Sequence, residues 1–258
     1  MTLDKRLAGV LSGIAAVFLV FPVTAQAEGQ AESDWSLDGY VSLGTDYRDR
    51  GLSLTKDDPV LVGNMTLGHT AGWYAGVKAA YLANGFPFNG QAEFFLGRSF
   101  ESNTGYIYDL SLELDTYWGD KGDNIALFPN GPALDGRYSF PEINASVARD
   151  FGLIYTRMGL AYAPDGRWSN MDGNSLYGYM DVDIPIPMMP ELTFIGHMGY
   201  DVIGNGYKNR FDWGAGISAF VNDTEFTLMY EKATGDTRSL NGYDRGSSGL
   251  ILSAKLYF

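Results

Sequence analysis

The sequence predicts a transmembrane antiparallel β-barrel of about twelve strands in up-and-down order, preceded by a cleaved signal peptide. Three observations predict it. Apolar residues recur at every second position in one segment after another, the period of a strand with one apolar face. The links between segments are alternately short and long, as when one barrel end carries tight turns and the other carries loops. Aromatic residues collect at both ends of the apolar faces with aliphatic residues between them, as expected across two membrane interfaces and a hydrocarbon core.

The first segment is a targeting signal rather than part of the fold. Lys5 and Arg6 are basic, Leu7 to Val23 is apolar, and Ala25-Gln26-Ala27 is a small-x-small cleavage site. Residues 1–27 therefore read as a signal peptide and 28–258 as one barrel domain, with Pro22 and the cleavage motif arguing against a retained anchor. No later apolar run approaches the length of a membrane helix, so a membrane reading survives only as a barrel. The chain has no cysteine, which excludes disulfides, zinc–thiolate sites and thiol catalysis. Its net charge of −13 argues against nucleic acid as a partner. Nothing in the sequence asks for a cofactor.

The strands follow in order, each with an apolar face. Ser36–Arg48 alternates Leu37, Val41, Leu43 and Tyr47 with Asp38, Tyr40, Asp46 and Arg48. Pro59–His69 sets Leu61, Met65 and Leu67 against Asn64 and Thr66, and Trp73–Leu82 sets Trp73, Val77 and Tyr81 against Lys78. Gln91–Phe100 opposes Phe94 and Leu96 to Glu93. Gly105–Trp118 is the clearest: seven alternate residues from Tyr106 to Trp118 face one way, and Asp109, Ser111, Glu113 and Asp115 the other. Tyr138–Arg149 carries Ile143 and Val147 against Glu142, with Pro141 near its start, where a missing donor costs least. Leu153–Ala163 opposes Met158, Leu160 and Tyr162 to Arg157; Ser175–Ile186 opposes Leu176, Met180 and Val182 to Asp181 and Asp183. Glu191–Val202 opposes Phe194, Met198 and Tyr200 to His197 and Asp201; Arg210–Phe220 opposes Phe211, Trp213 and Ile217 to Asp212. Thr224–Lys232 carries Phe226, Leu228 and Tyr230 against Glu225 and Glu231. Leu250–Phe258 ends the chain on an aromatic, with Lys255 on its polar face.

The direction of each strand places Tyr47, Tyr81, Trp118, Tyr162, Tyr200, Phe211 and Tyr230 in a belt at the long-loop end. Trp73, Phe100, Tyr106, Phe226 and Phe258 form the belt at the short-turn end. A soluble core would gather its aromatics at the centre, where they bury most area. The alternation therefore points the apolar faces outward, to lipid, and a closed barrel leaves no strand edge for lipid to satisfy. Even strand number and sorted loops put both chain ends on the short-turn side, in the periplasm of a bacterial outer membrane.

The segment Gly44-Thr-Asp-Tyr-Arg-Asp-Arg-Gly-Leu-Ser53, followed by Pro59, Gly63 and Gly72-Trp-Tyr-Ala-Gly76, resembles the proteobacterial Gcw_chp family, also described as TorF-type porins. Here Thr45 stands for a Ser of the family pattern, and Asp49 and Trp73 each stand for a Phe. The resemblance is most specific over the first third of the mature chain and implies an outer-membrane barrel of loosely assigned porin function. It carries no catalytic residues. Phe258, as a terminal aromatic, is similar to the assembly signal of outer-membrane barrels, which implies the barrel-assembly machinery and outer-membrane lipids as partners.

With polar faces inward, the lumen candidates are Asp38, Asp46, Lys78, Glu93, Asp109, Glu113, Asp115, Glu142, Arg157, Asp181, Asp183, Asp201, Asp212 and Lys255. A wall dominated by one sign selects counter-ions, so the expected solutes are small and polar, with cations preferred. Twelve strands lie between filled and aqueous barrels, so a packed interior with Lys78 and Arg157 in ion pairs stays open as an alternative. Gly119–Arg137, the longest external loop, is the candidate to fold inward and narrow the lumen. A non-conducting structural or recognition barrel is the second class. A lipid hydrolase is the third, but His69 and His197, the only histidines, have no convincing Ser and acid aligned with them. No metal site is assigned.

Overall fold

The computed structural model describes residues 33–82, 88–119, 137–167, 169, 173–235, 237 and 243–258. Residues 1–27 and the interior of the Gly119–Arg137 loop lie outside the described residues. The strands are β1 (Trp35–Gly44), β2 (Arg48–Asp49), β3 (Leu52–Ser53), β4 (Val60–His69), β5 (Trp73–Leu82), β6 (Gly90–Glu101) and β7 (Tyr106–Trp118). They continue as β8 (Arg137–Asp150), β9 (Tyr155–Ala163), β10 (Ser175–Ile186), β11 (Met189–Ile203), β12 (Arg210–Val221), β13 (Thr224–Thr234) and β14 (Gly249–Tyr257).

Twelve of these close an antiparallel barrel, each paired with its sequence neighbours, while β2 and β3 form a separate two-stranded hairpin. β14 seals the barrel against β1, from Tyr40 opposite Tyr257 to Gly44 opposite Ser253. Phe258 continues that seam: its N–H donates to the Gly39 carbonyl at 3.0 Å, and the Gly39 N–H donates to the Phe258 carbonyl at 2.9 Å. Closure pairs β1 with β14 from Gly39 to Thr45, so the sheet presents no free edge along that seam, the condition for a sheet surrounded by lipid.

The outer wall is apolar. Leu37, Leu110, Leu112, Leu160, Leu250 and Leu252 are each more than half exposed, and their strand neighbours at odd separation face the lumen. Trp73, Phe100, Phe226 and Phe258 lie at the short-turn end and Tyr81, Trp118, Tyr162, Tyr200, Phe211 and Tyr230 at the long-loop end, all exposed. Tyr106 shares the outer face of β7.

The first strand is the correction. It stops at Gly44 rather than Arg48. Thr45 makes the last ladder bond, its N–H donating to the Leu252 carbonyl at 3.0 Å, and the chain then turns inward. Asp46 is therefore not a wall residue but the hub of an inward-folded loop. Tyr47 is not a belt residue either: it packs against the buried apolar cluster inside the barrel. The alternation of Asp46, Tyr47 and Arg48 continues the strand period by coincidence, because a hairpin folded back on the barrel uses extended backbone too.

Candidate functional site

The loop between β1 and β4 plugs the long-loop half of the lumen. Its local design is legible residue by residue. The Asp46 carboxylate accepts from the Tyr47 N–H at 2.8 Å, Ser53 Oγ at 2.6 Å, Thr55 Oγ1 at 2.7 Å and Arg48 Nε at 2.7 Å. These bonds tie both arms of the loop to one side chain. Between the arms, Arg48 pairs with Ser53 and Asp49 with Leu52, leaving Arg50-Gly51 as a two-residue turn. Both turn residues have positive φ, 50° and 71°, as a type I′ hairpin requires. At Gly51 a side chain is also excluded, since a Cβ would lie 2.7 Å from the Asp212 Cβ on the opposite wall. Arg50 in this conformation costs roughly 1–2 kcal/mol. Burial of Leu52 and Leu54, 1% and 2% exposed, offsets it by about 1.5–3 kcal/mol each.

Those two leucines sit on an apolar lumenal roof of Val60, Val62, Ala80, Leu82, Phe88, Tyr117, Phe140, Ala163 and Ala233. The wall positions are inward-facing, so an apolar patch replaces the polar face here, while Glu142, Asp201, Asp212 and Arg210 keep other parts of the wall charged at this level. Around it, arginines lock the plug to the barrel. Arg48 donates to the Ser247 carbonyl at 2.7 Å and to Asp57 at 3.1 Å. Arg50 pairs with Glu142 at 2.6 Å, lies 3.8 Å from Asp201, and stacks 4.1 Å over the Tyr177 ring. Arg167, from the loop after β9, bridges the plug's Asp49 at 2.7 Å to Glu142. Burial alone would lower the Arg167 guanidinium's pKa, but Asp49, Glu142 and Asp115 reverse this and hold it well above its ordinary value. Arg210 pairs with Asp201 at 3.1 Å, and Arg245 donates to the Ser53 carbonyl at 2.7 Å. Burial lowers Arg245 to about 10, which leaves it charged at neutral pH.

Beneath the plug lies a cavity of about 420 Å³, lined by Arg48, Arg50, Gly51, Tyr177, Tyr179, Asp181, His197, Met229 and Glu231. Tyr177 and Tyr179 lie flat on the wall because Gly199 and Gly159 are under them; a Cβ at either glycine would collide with the ring. His197 presents Nδ1 to Asp181 at 2.6 Å and Nε2 to Asp212 at 2.9 Å, a pairing that a doubly protonated ring satisfies. Across the lumen, Lys78 pairs with Glu93, and ligand oxygens of Glu93, Glu113 and Asp115 fall within 4.8 Å of one another. Gln91 donates to Asp115 at 2.8 Å.

Towards the short turns, Tyr74 donates to Asp109 at 2.8 Å, Arg157 to Ser146 at 3.2 Å, and Lys255 lies 3.5 Å from Glu225. A second cavity of about 270 Å³ opens there beside Asp183. Asp38 is exposed at this end and accepts from Ser36 at 3.0 Å. The structure thus gathers Glu142, Asp201 and Asp46 at the plug, Asp181 and Asp212 with His197, and Lys78, Glu93, Glu113 and Asp115 on the facing wall. Sequence reasoning missed Arg50, Arg167, Arg210 and Arg245 as lumen bases, so the acidic excess at the plug is smaller than counted from strand faces. Three of these four sit in loops, where alternation says nothing about direction. His69 lies at the β4 turn against Trp35 and accepts from the Ala71 N–H at 3.0 Å, while His197 faces the lumen rather than lipid.

The sequence model described as "Bacterial protein of unknown function (Gcw_chp)" matches residues 28–253. The chain belongs to the Gcw_chp family. The segment Gly44–Ser53, on which the sequence resembles the family, leaves the barrel ladder after Thr45 and forms the plug hairpin over Arg48–Ser53. A search of curated proteins returned no match. Among solved structures, a KdgM porin superposes with TM-score 0.52 at 8% identity, covering 86% of this chain and 99% of the porin. An outer membrane channel from Pseudomonas putida F1 gives 0.51 at 10% identity, covering 91% of this chain and all of the channel (100%). The NanC porin gives 0.50 at 10% identity, covering 86% and 98%. At these identities the likeness is one of fold: this Gcw_chp chain has a porin-like β-barrel fold.

Proposed function

We propose that the protein is an outer-membrane porin for small polar solutes, with cations preferred, in which the first loop sets passage through the long-loop half. The carrying observation is the division of the lumen. A packed hairpin closes one half, while the other keeps cavities bordered by Asp181, Asp183 and Glu231, and the Glu93–Glu113–Asp115 group adds carboxylates on another stretch of the wall. A wall of carboxylates favours cations, and the arginines that offset them are concentrated at the plug. Refolded protein in a planar bilayer under a salt gradient tests this. The expected result is discrete conductance with cation-directed reversal; anion-directed reversal would reject the charge argument. The packed roof favours a second reading, a non-conducting structural or recognition barrel, and absence of conductance with and without the plug would select it.

In the same reading, residues 1–27 direct export, both chain ends face the periplasm, and Phe258 is the signal read by the barrel-assembly machinery. The Phe258 ring lies against Gly39, where a Cβ would meet it at 2.8 Å, and its backbone extends the closing seam. Phe258→Ala is expected to slow membrane insertion in cells while leaving detergent refolding intact. Unchanged insertion would remove its role as a signal.

A further inference from the structure

Charge is sorted across the barrel wall. Along the regular ladders, outward positions carry no Asp or Glu among the described residues, although the whole chain is strongly acidic. The outward charges include Arg98, Arg149 and Lys232, all basic. Arg98 follows Phe94 and Leu96 on the lipid face of β6 and stands opposite Trp73 of the short-turn belt. Its guanidinium lies 5.2 Å from the Trp73 ring. Arg149 stands opposite Tyr106, another residue of that belt. Its guanidinium lies 4.4 Å from the Tyr106 ring and 5.0 Å from that of Phe151 in the next turn.

Neither guanidinium has a carboxylate or hydrogen-bond partner among the described residues, in contrast to Arg48, Arg50, Arg167 and Arg210 within the lumen. Rings occupy the guanidinium faces and leave the edge N–H donors available, the donors that match phosphate oxygens in pairs. At belt depth the anion within reach of an outward group is a lipid headgroup. A carboxylate-free wall removes the competing partners.

We propose that Arg98 and Arg149 bind the phosphodiester of phospholipid headgroups in the leaflet at the short-turn end. This inference needs the barrel to sit in a membrane but not to conduct. It is tested by native mass spectrometry of the refolded protein released from micelles containing phosphatidylglycerol, diacylglycerol or added glycerol phosphate. The wild type is expected to retain phosphatidylglycerol and release diacylglycerol. R98Q/R149Q should lower retention about tenfold, the scale of losing paired phosphate contacts, while K232Q at the opposite belt leaves it unchanged. Heat-dependent gel mobility establishes that each variant is folded, and single R98Q and R149Q variants serve if the double variant is not. Equal retention by wild type and R98Q/R149Q would overturn the site. Equal retention of diacylglycerol, or displacement of the lipid by glycerol phosphate at matching concentration, would overturn the assignment to a membrane headgroup.

Discussion

The two halves of the lumen share the same strands and the same period, yet one is packed like a protein core and the other is polar with cavities. At the long-loop end Val60, Val62, Leu82, Tyr117 and Phe140 point inward and are nearly fully buried against Leu52 and Leu54. At mid-height and below, the inward positions include Glu113, Lys78 paired with Glu93, and Asp181 paired with His197, the last two bordering a cavity of about 420 Å³. The difference teaches that an inward strand face takes its chemistry from whatever occupies the lumen at that level. Where Leu52 and Leu54 of the hairpin press on it, the wall is apolar; elsewhere it is charged.

Removing the occupant is the strongest way to break the comparison. Replacing residues 47–54 by a Gly-Ser linker should leave a closed barrel, because every ladder between β1 and β4 lies outside that segment. Single-channel current should rise several-fold; an unchanged current would mean that the plug is not the barrier. The excised protein should also be less stable to denaturant, because the buried faces of Leu52 and Leu54 are lost, at about 1.5–3 kcal/mol each. A smaller effect sharpens the other half. E113Q/D115N removes charge beside Lys78 without touching the plug, so current should change by less than about twofold while cation preference falls. Retained reversal potential in that variant would show that selectivity is set elsewhere.

Much of the barrel was legible because lipid imposes a strict rule on outward positions. The run from Tyr106 to Trp118 has no reading but a strand, and its observed register against β6 and β8 keeps all seven alternate residues on the outer face. The wall carboxylates followed from the same parity. The plug did not. Asp46-Tyr47-Arg48 continues the period of β1, and no local signal marks the departure at Gly44. The one available hint was Arg50-Gly51, a turn pair between short polar arms, which also reads as an exposed loop. Arg167 and Arg245 were equally hidden, since a loop residue's direction depends on contacts distant in sequence, Arg245 meeting Ser53 and Arg167 meeting Asp49.

By itself, then, the sequence determined the strand count of the barrel and its inside and outside. Each is a local consequence of a two-residue period meeting a membrane of fixed thickness. Only the tertiary structure decided what fills the lumen and which carboxylates are neutralised. Those depend on a hairpin crossing the barrel to touch Asp212 and Ala233, and on arginines brought from loops far along the chain. Parity constrains a residue held in a ladder, whereas a loop is constrained only by the partners it finds.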